Sequence, residues 1–445
     1  MKLYGGWAAL LVALLLVWGN PAGAQQAISQ RLTLKEAIGL ALKKNLSVRV
    51  AGTEVDELEG TRERRQASLL PRVSGDALAD RQNIYLGAMG ISVPIIPSVV
   101  GPFAHYDFRL AANQALIDRQ AYHNWKASEK LAQASKLSYQ DMRDLVVRET
   151  GGLYLDGQAA AAELEAAESR VTTSLALEKL AHDQHDQGLA TAVDVVRAQV
   201  QLARDRQNLL LARDAYQTSL LALARFLGLS PGIPLELAER LQFQRVPAPE
   251  IGQALHTALE ARSDYRSLLT QRESLIEQQK ASRARYLPKL SINGDYGPQW
   301  RTFRSMAGIG EIQGTLTFTV FDLDRNGERK ELESRVQRLS EQIDDLARGI
   351  EQDLRKALLD LDSAESQVSV TEAALNLAQR ELTLAQDRFH NGVTDNIEVV
   401  RAQDTLASAQ DDRIMALARH ADAGLALARA LGATEQNYQV YLGER

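Results

Sequence analysis

The spacing of apolar residues changes from helical to alternating and back along this chain, and the whole series of changes occurs twice. Residues 33–69 and 250–286 carry Ala and Leu at helical spacing, lack internal proline, and run into Leu70-Pro71 and Leu287-Pro288. A residue before proline is pushed out of the helical region, so each segment predicts a helix of about 37 residues that stops there. Beyond each stop the period becomes two. Leu290, Ile292, Gly294 and Tyr296 alternate with Ser291, Asn293 and Asp295. Ile312, Gly314, Leu316, Phe318 and Val320 alternate with Glu311, Gln313, Thr315, Thr317 and Thr319, as far as Phe321. Earlier, Tyr106, Phe108 and Leu110 alternate with Asp107 and Arg109, and residues 72–81 alternate more weakly. The pattern predicts β-hairpins over about 72–117 and 289–321, with strands of about 9–11 residues, enough for a tilted strand to cross a bilayer. One face would be apolar and the other polar. Two hairpins hold too little sheet to stand alone, so other copies of the chain are the natural source of partner strands.

Each hairpin is followed by a long segment without proline, about 119–186 and 323–389. At 1.5 Å per residue each would be a helix roughly 100 Å long. Val368, Leu375, Leu382 and Phe389 recur every seventh residue, the seam of a coiled coil. Gly151-Gly152 marks a place where the first long helix is expected to bend. Tight turns follow at 187–192 and 391–396, and helices of half the length return to Gly228 and Gly432. The helix before the hairpin can supply the missing half. The prediction is a rod with strands at one end and turns at the other. The linker 229–249 and the tail 433–445 would lie at mid-height.

The two series are copies of one unit. Residues 181–228 align with 385–432 at an offset of 204, without a gap, and 18 of the 48 positions are identical, including VVRAQ and LALAR. Upstream, ASLLPRVS ending at Ser74 matches ARYLPKLS ending at Ser291 at an offset of 217, so the first copy carries 13 more residues around its hairpin. The first repeat therefore spans 25–228 and the second 250–432.

Composition narrows the class. Residues 1–24 have a basic Lys2, a short apolar run and a small-residue site at Ala22-Gly23-Ala24, which reads as a secretory signal. No later stretch approaches 18 apolar residues, so membrane residence would require a closed β-barrel. There are no cysteines, which excludes disulfides and thiolate chemistry. The net charge of -6 offers no footprint for nucleic acid.

The order of signal, helix, hairpin, long helix, glycine turn and half helix, repeated, together with QGLATAVDVVRAQ and NGVTDNIEVVRAQ, resembles the TolC-type outer-membrane efflux proteins. The resemblance covers the whole mature chain. It implies a mainly α fold with a small β part: a homotrimer whose twelve strands close one barrel in outer-membrane lipid and whose duplicated helices form a coiled-coil tunnel through the periplasm. It implies an export channel of a tripartite efflux or type I secretion system, with a periplasmic adaptor and an inner-membrane pump as partners. The family's adaptor-docking tip falls on Gly188, Leu189, Ala190, Thr191, Gly392, Val393 and Thr394. Its acidic pore constriction falls on Asp194 and Glu398. Where some members carry a second acidic ring this chain has Arg401, matched by Arg197, and Thr394 replaces a basic bridging residue. Pairing of Asp194 or Glu398 with Arg401 is the expected substitute. A periplasmic coiled-coil adaptor without a pore is the alternative, and the alternating strands argue against it.

Other chemistry is thin. No nucleophile elbow, phosphate loop, dinucleotide fingerprint or zinc-protease motif is present, so no enzyme, cofactor or metal site is expected. His182 and His185 share a helical face without further ligands and are expected in solvent or the lumen. Asp322, Asp324, Asn326, Gly327 and Glu333 fit the calcium-loop pattern. Here, however, the run joins a strand to a helix, and Arg329 stands where the loop is normally apolar. The better expectation is that Asp322, Asp324 or Asn326 caps the second long helix.

Overall fold

The computed structural model describes residues 30–91, 93–230, 234–391, 393–394, 396–432 and 434–442. The expected signal segment lies outside them. The first copy comprises β1 (Gln30–Leu32), α1 (Leu34–Lys44), α2 (Leu46–Ala67), β2 (Arg72–Tyr85), β3 (Val99–Ile117), α3 (Arg119–Asp186) and α4 (Ala192–Phe226). The second comprises β4 (Leu235–Leu237), α5 (Ile251–Ala261), α6 (Ser263–Ala284), β5 (Lys289–Trp300), β6 (Ala307–Thr317), α7 (Asp324–His390) and α8 (Asn396–Leu431), followed by α9 (Thr434–Leu442).

The two predicted 37-residue helices are each divided. The breaks fall at Asn45 and Arg262, which are matched positions in the two copies, and both residues have extended backbone conformations (ψ 134° and 116°). The cause is tertiary. The Asn45 side-chain amide donates to the Phe226 carbonyl at 2.9 Å and its oxygen accepts from the Ser47 N–H at 2.8 Å, so one residue ends α1, starts α2 and receives the end of α4. Gly228, at φ +67°, lies against the Lys44 carbonyl, and Gly432, at φ +84°, lies against Arg262. Only α2 and α6 therefore stack end to end with the returning helices. The shorter α1 and α5 turn aside to build a belt at mid-height.

That belt holds the main core. Leu32, Leu34, Ile38, Val147, Tyr154, Leu223, Leu227 and Leu425 pack together there. Each such leucine contributes about 2 kcal/mol of burial. β1 pairs in parallel with β4 from the linker, and the Tyr154 hydroxyl donates to the Leu32 carbonyl at 2.9 Å.

The long helices are continuous. At Gly151-Gly152 the helix is not interrupted, and α3 runs from Arg119 to Asp186. Gly151 serves close packing: a Cβ there would meet the Leu425 side chain at 2.7 Å. On α7 the predicted seam is present and longer. Ile350, Leu354, Ala357, Leu361, Ala364, Val368, Ala378, Leu382, Ala385 and Phe389 are buried at alternating spacings of four and three, with Leu375 half-buried in the same series.

Candidate functional site

Two regions can carry function, and they lie at opposite ends of the long helices. At one end the four long strands form a single antiparallel sheet in the order β2-β3-β5-β6. The two hairpins thus pair with each other through β3 and β5, and β2 and β6 are left as edges. β2 and β3 are longer than the predicted strands, at 14 and 19 residues. β6 is shorter at its end than the alternation suggests. It stops at Thr317, opposite Lys289, because its partner strand begins immediately after Pro288, which has no N–H to give.

Register sorts the sheet into two faces. Ile312 opposes Gly294, Leu316 opposes Leu290, Tyr296 opposes Leu110, and Tyr106 stacks on Trp300 at 5.8 Å. Ile312, Leu316, Tyr296, Leu110 and Tyr106 are exposed on this face, Ile312 to 82%. The other face is ionic. Arg109 pairs with Asp107 at 3.0 Å and with Asp295 at 2.6 Å, and His105 meets Asp80 at 3.0 Å. A sheet with one exposed greasy face, one charged face and two unpaired edges is not stable as a soluble object.

The start of each long helix is fixed by an aspartate at a matched position. Asp118 accepts from the Ala121 N–H at 2.8 Å, and Asp322 accepts from the Asp324 N–H at 3.0 Å. Arg285 then gathers the acidic run, reaching Asp322 at 3.6 Å, Asp324 at 3.3 Å and Glu328 at 2.9 Å. Asn326 and Gly327 are already helical, so the calcium-like residues cannot wrap one ion. The motif marks where sheet becomes helix.

At the far end, the turn after α3 is a Schellman motif. Gly188 sits at φ +75°, its N–H reaches the His185 carbonyl at 2.9 Å, and the Leu189 N–H reaches the Gln184 carbonyl at 2.8 Å. The Val393 N–H makes the matching bond to the Arg388 carbonyl at 2.9 Å in the second turn; Gly392 lies outside the described residues. Leu189 and Val393 project at the very end, 70% and 67% exposed. Ala190 and Thr394 are half-buried and Thr191 begins α4. His185 closes the first turn through the Ala190 carbonyl at 3.1 Å, and His182 pairs with Asp186 at 3.2 Å.

The acidic residues expected at a constriction have other immediate tasks. Asp194 is 6% exposed and forms a capping box with Thr191, whose hydroxyl donates to it at 2.6 Å and whose N–H does so at 3.0 Å. Its second oxygen is 3.4 Å from Arg197. Glu398 pairs with Arg388 at 3.3 Å across the second turn. The expected pairing with Arg401 is not made within the chain by either carboxylate: both are committed to nearer groups, and Arg401 is exposed.

Two residues that pattern reading passed over hold the two turns together. The buried Asn396 amide donates to the Asp194 carbonyl at 3.0 Å, and Gln184 donates to the Phe389 carbonyl at 3.3 Å. A clue existed: Asn396 replaces the Ala192 of the other copy, a polar residue where the repeat has a small apolar one.

A sheet that needs a membrane at one end of two duplicated helical hairpins, with paired turns at the other, defines an outer-membrane protein with a helical extension. The chain belongs to the outer membrane efflux protein family, whose profile matches residues 37–229 and 254–433. Among its relatives are the pyoverdine export outer membrane protein OpmQ of Pseudomonas aeruginosa, 26% identical over 57% of this chain and 54% of that one, so about half of OpmQ is spanned. The probable efflux pump outer membrane protein TtgC of Pseudomonas putida is 22% identical over 85% of this chain and 78% of its own. The fold matches the crystal structure of the Campylobacter jejuni CmeC outer membrane channel with a TM-score of 0.79, at 17% identity over 90% of this chain and 86% of that one.

Proposed function

We propose that three copies of this chain form a passive export conduit, the outer-membrane arm of a tripartite efflux or secretion system. The sheet carries the reading. β2 of one copy would pair with β6 of the next until twelve strands close with no edge, the apolar face meeting lipid and the Arg109–Asp295 face lining water. The helices support the same symmetry. Val370, Leu377 and Leu384 form a second heptad stripe on α7 that is exposed in one copy, and α4 exposes Val196, Val200, Leu210 and Leu211 over the same stretch of the tunnel. Each stripe would cover the other between neighbours. The apolar points Leu189 and Val393 would meet a periplasmic adaptor, whose grip opens the tip, while an inner-membrane pump supplies the energy.

The chain has no cysteine, so single-cysteine pairs are clean probes. A Leu377→Cys, Leu210→Cys protein should oxidise into covalent trimers in the outer-membrane fraction and show discrete conductance in a planar bilayer. A soluble, monomeric and non-conducting product would overturn the reading.

A further inference from the structure

A small polar chamber lies inside the helical wall, more than two turns above the tip, where α3, α4, α7 and α8 meet. Its volume is about 50 Å³, and its walls include Ser174, Gln201, Asp205, Gln403, Asp404 and Gln410. Asp205 is 6% exposed, yet among the described residues neither it nor Asp404 has an ion-pair partner. Burying a carboxylate away from water is costly unless other groups satisfy its oxygens. Its neutral support is partial. Ser174 donates to it, while a single Gln201 nitrogen stands 3.3 and 3.4 Å from its two oxygens and 3.4 Å from Asp404. Those distances lie beyond good hydrogen-bond length. Gln403 is 9% exposed, and both its side-chain amide atoms lack a partner, as does the Gln410 oxygen. Arg170 also lines the chamber; its Nη1 is engaged with Asp411 at 3.0 Å and the Ala407 carbonyl at 3.4 Å, while its Nε is buried without a partner.

We propose that this chamber binds a hard divalent cation of the calcium type, held between Asp205 and Asp404 and completed by the side-chain oxygens of Gln403 and Gln410. The donors are all oxygen, which suits calcium and excludes a soft transition metal. Two carboxylates balance its charge. Asp404 is exposed and provides the entrance. The ion would tie α8 to α4 and α3, and so fasten the two copies together above the tip. Binding can be read on the purified protein in detergent whether or not it conducts, so its failure is separable from that of the channel reading.

The test is calorimetric titration of the chelator-stripped protein with calcium chloride. One saturable ion per chain is expected, with a dissociation constant of about 1 mM or tighter. Asp205→Asn and Asp404→Asn should each weaken binding by about tenfold or more, and Asp322→Asn, in the calcium-like run at the other end, should leave it unchanged. Absence of saturable binding, or equal binding by wild type and Asp205→Asn, would overturn the proposal. Should the chamber variants not fold, an anomalous signal between Asp205 and Asp404 in calcium-soaked wild-type crystals decides for it, and water only at that position decides against it.

Discussion

The tip turns of the two copies share a closing backbone bond, Leu189 to Gln184 and Val393 to Arg388, but are secured by different means. In the first, Thr191 and a buried Asp194 complete a capping box within their own hairpin. In the second, Glu398 makes a half-exposed ion pair to Arg388, and Asn396 reaches across to the first copy. The mid-height junctions differ in the same way. Asn45 joins α1, α2 and α4 with two neutral hydrogen bonds, whereas Arg262 at the matched position is buried and charged, bonded to Asp264 at 2.6 Å and facing Asp353 at 3.5 Å. Duplication preserved the backbone requirements: a positive-φ glycine, a helix break, a capped start. It left the side chains free to diverge wherever a different bond could meet the same requirement.

The largest test of this comparison is at the junctions. Arg262→Ala should destabilise the protein by about 3 kcal/mol, because it leaves the half-buried Asp264 with the more distant Arg429, at 3.7 Å, as its remaining cation among the described residues. Asn45→Ala should cost about 1 kcal/mol, the value of a cap and one hydrogen bond. Thermal unfolding of the two variants side by side measures the difference. Equal losses would mean that the charged junction is no more than a cap.

At the tip the order should reverse between copies. Asp194→Ala removes a buried capping box and should cost about 1–2 kcal/mol, fray the start of α4 in hydrogen exchange, and raise leak conductance. Glu398→Ala breaks a solvent-screened pair and should do little by either measure. Asn396→Ala should raise leak conductance without fraying α4, since it removes a tie between copies and no cap. A larger effect from Glu398→Ala than from Asp194→Ala would make Glu398 the principal closing residue.

Much of this was legible in the sequence, because the signals were periodic or local. The change of period located both hairpins, the Leu-Pro steps stopped the helices, the heptads found the α7 seam, and the acidic run at Asp322 was recognisable as a cap. What escaped depends on distant partners. Nothing near Asn45 or Arg262 forbids a continuous helix; the break follows from helix ends that arrive 181 residues after Asn45, at Phe226, and about 170 after Arg262, at Gly432. The alternation through Phe318 and Val320 persists in sequence after the ladder has lost its partner strand. Asn396 binds a backbone carbonyl of the other copy, which no side-chain pattern can announce. The Asp205 chamber draws residues from α3, α4 and α8 that share no spacing.

The smallest expected effect again separates matched positions. Tyr216 and His420, 204 residues apart, both meet the linker between the copies, Tyr216 in the cluster with Leu235 and Leu237 and His420 at Phe243. Burial raises the Tyr216 hydroxyl further from neutrality, so it carries no charge at working pH. Burial lowers His420 below the usual histidine value, with Glu365 acting weakly in the opposite sense. The ring lies 4.8 Å from Phe243, and its Nε2 is buried without a partner. In the folded state His420 therefore binds fewer protons than in the unfolded chain. Its contribution to stability is present above the ordinary histidine pKa and is lost as pH falls through its lowered folded value. Acidification from pH 7 toward 5 should loosen the linker over α8 while leaving β4 against α4 unchanged, and His420→Phe should remove that part of the pH dependence. Hydrogen exchange at 242–246 and 235–237, followed through the titration, distinguishes the two sides. Equal loosening of both would show that the acid response lies elsewhere in the belt; Asp141 and Asp144 cannot supply it, because burial raises both carboxyls and acidification through them favours the folded state.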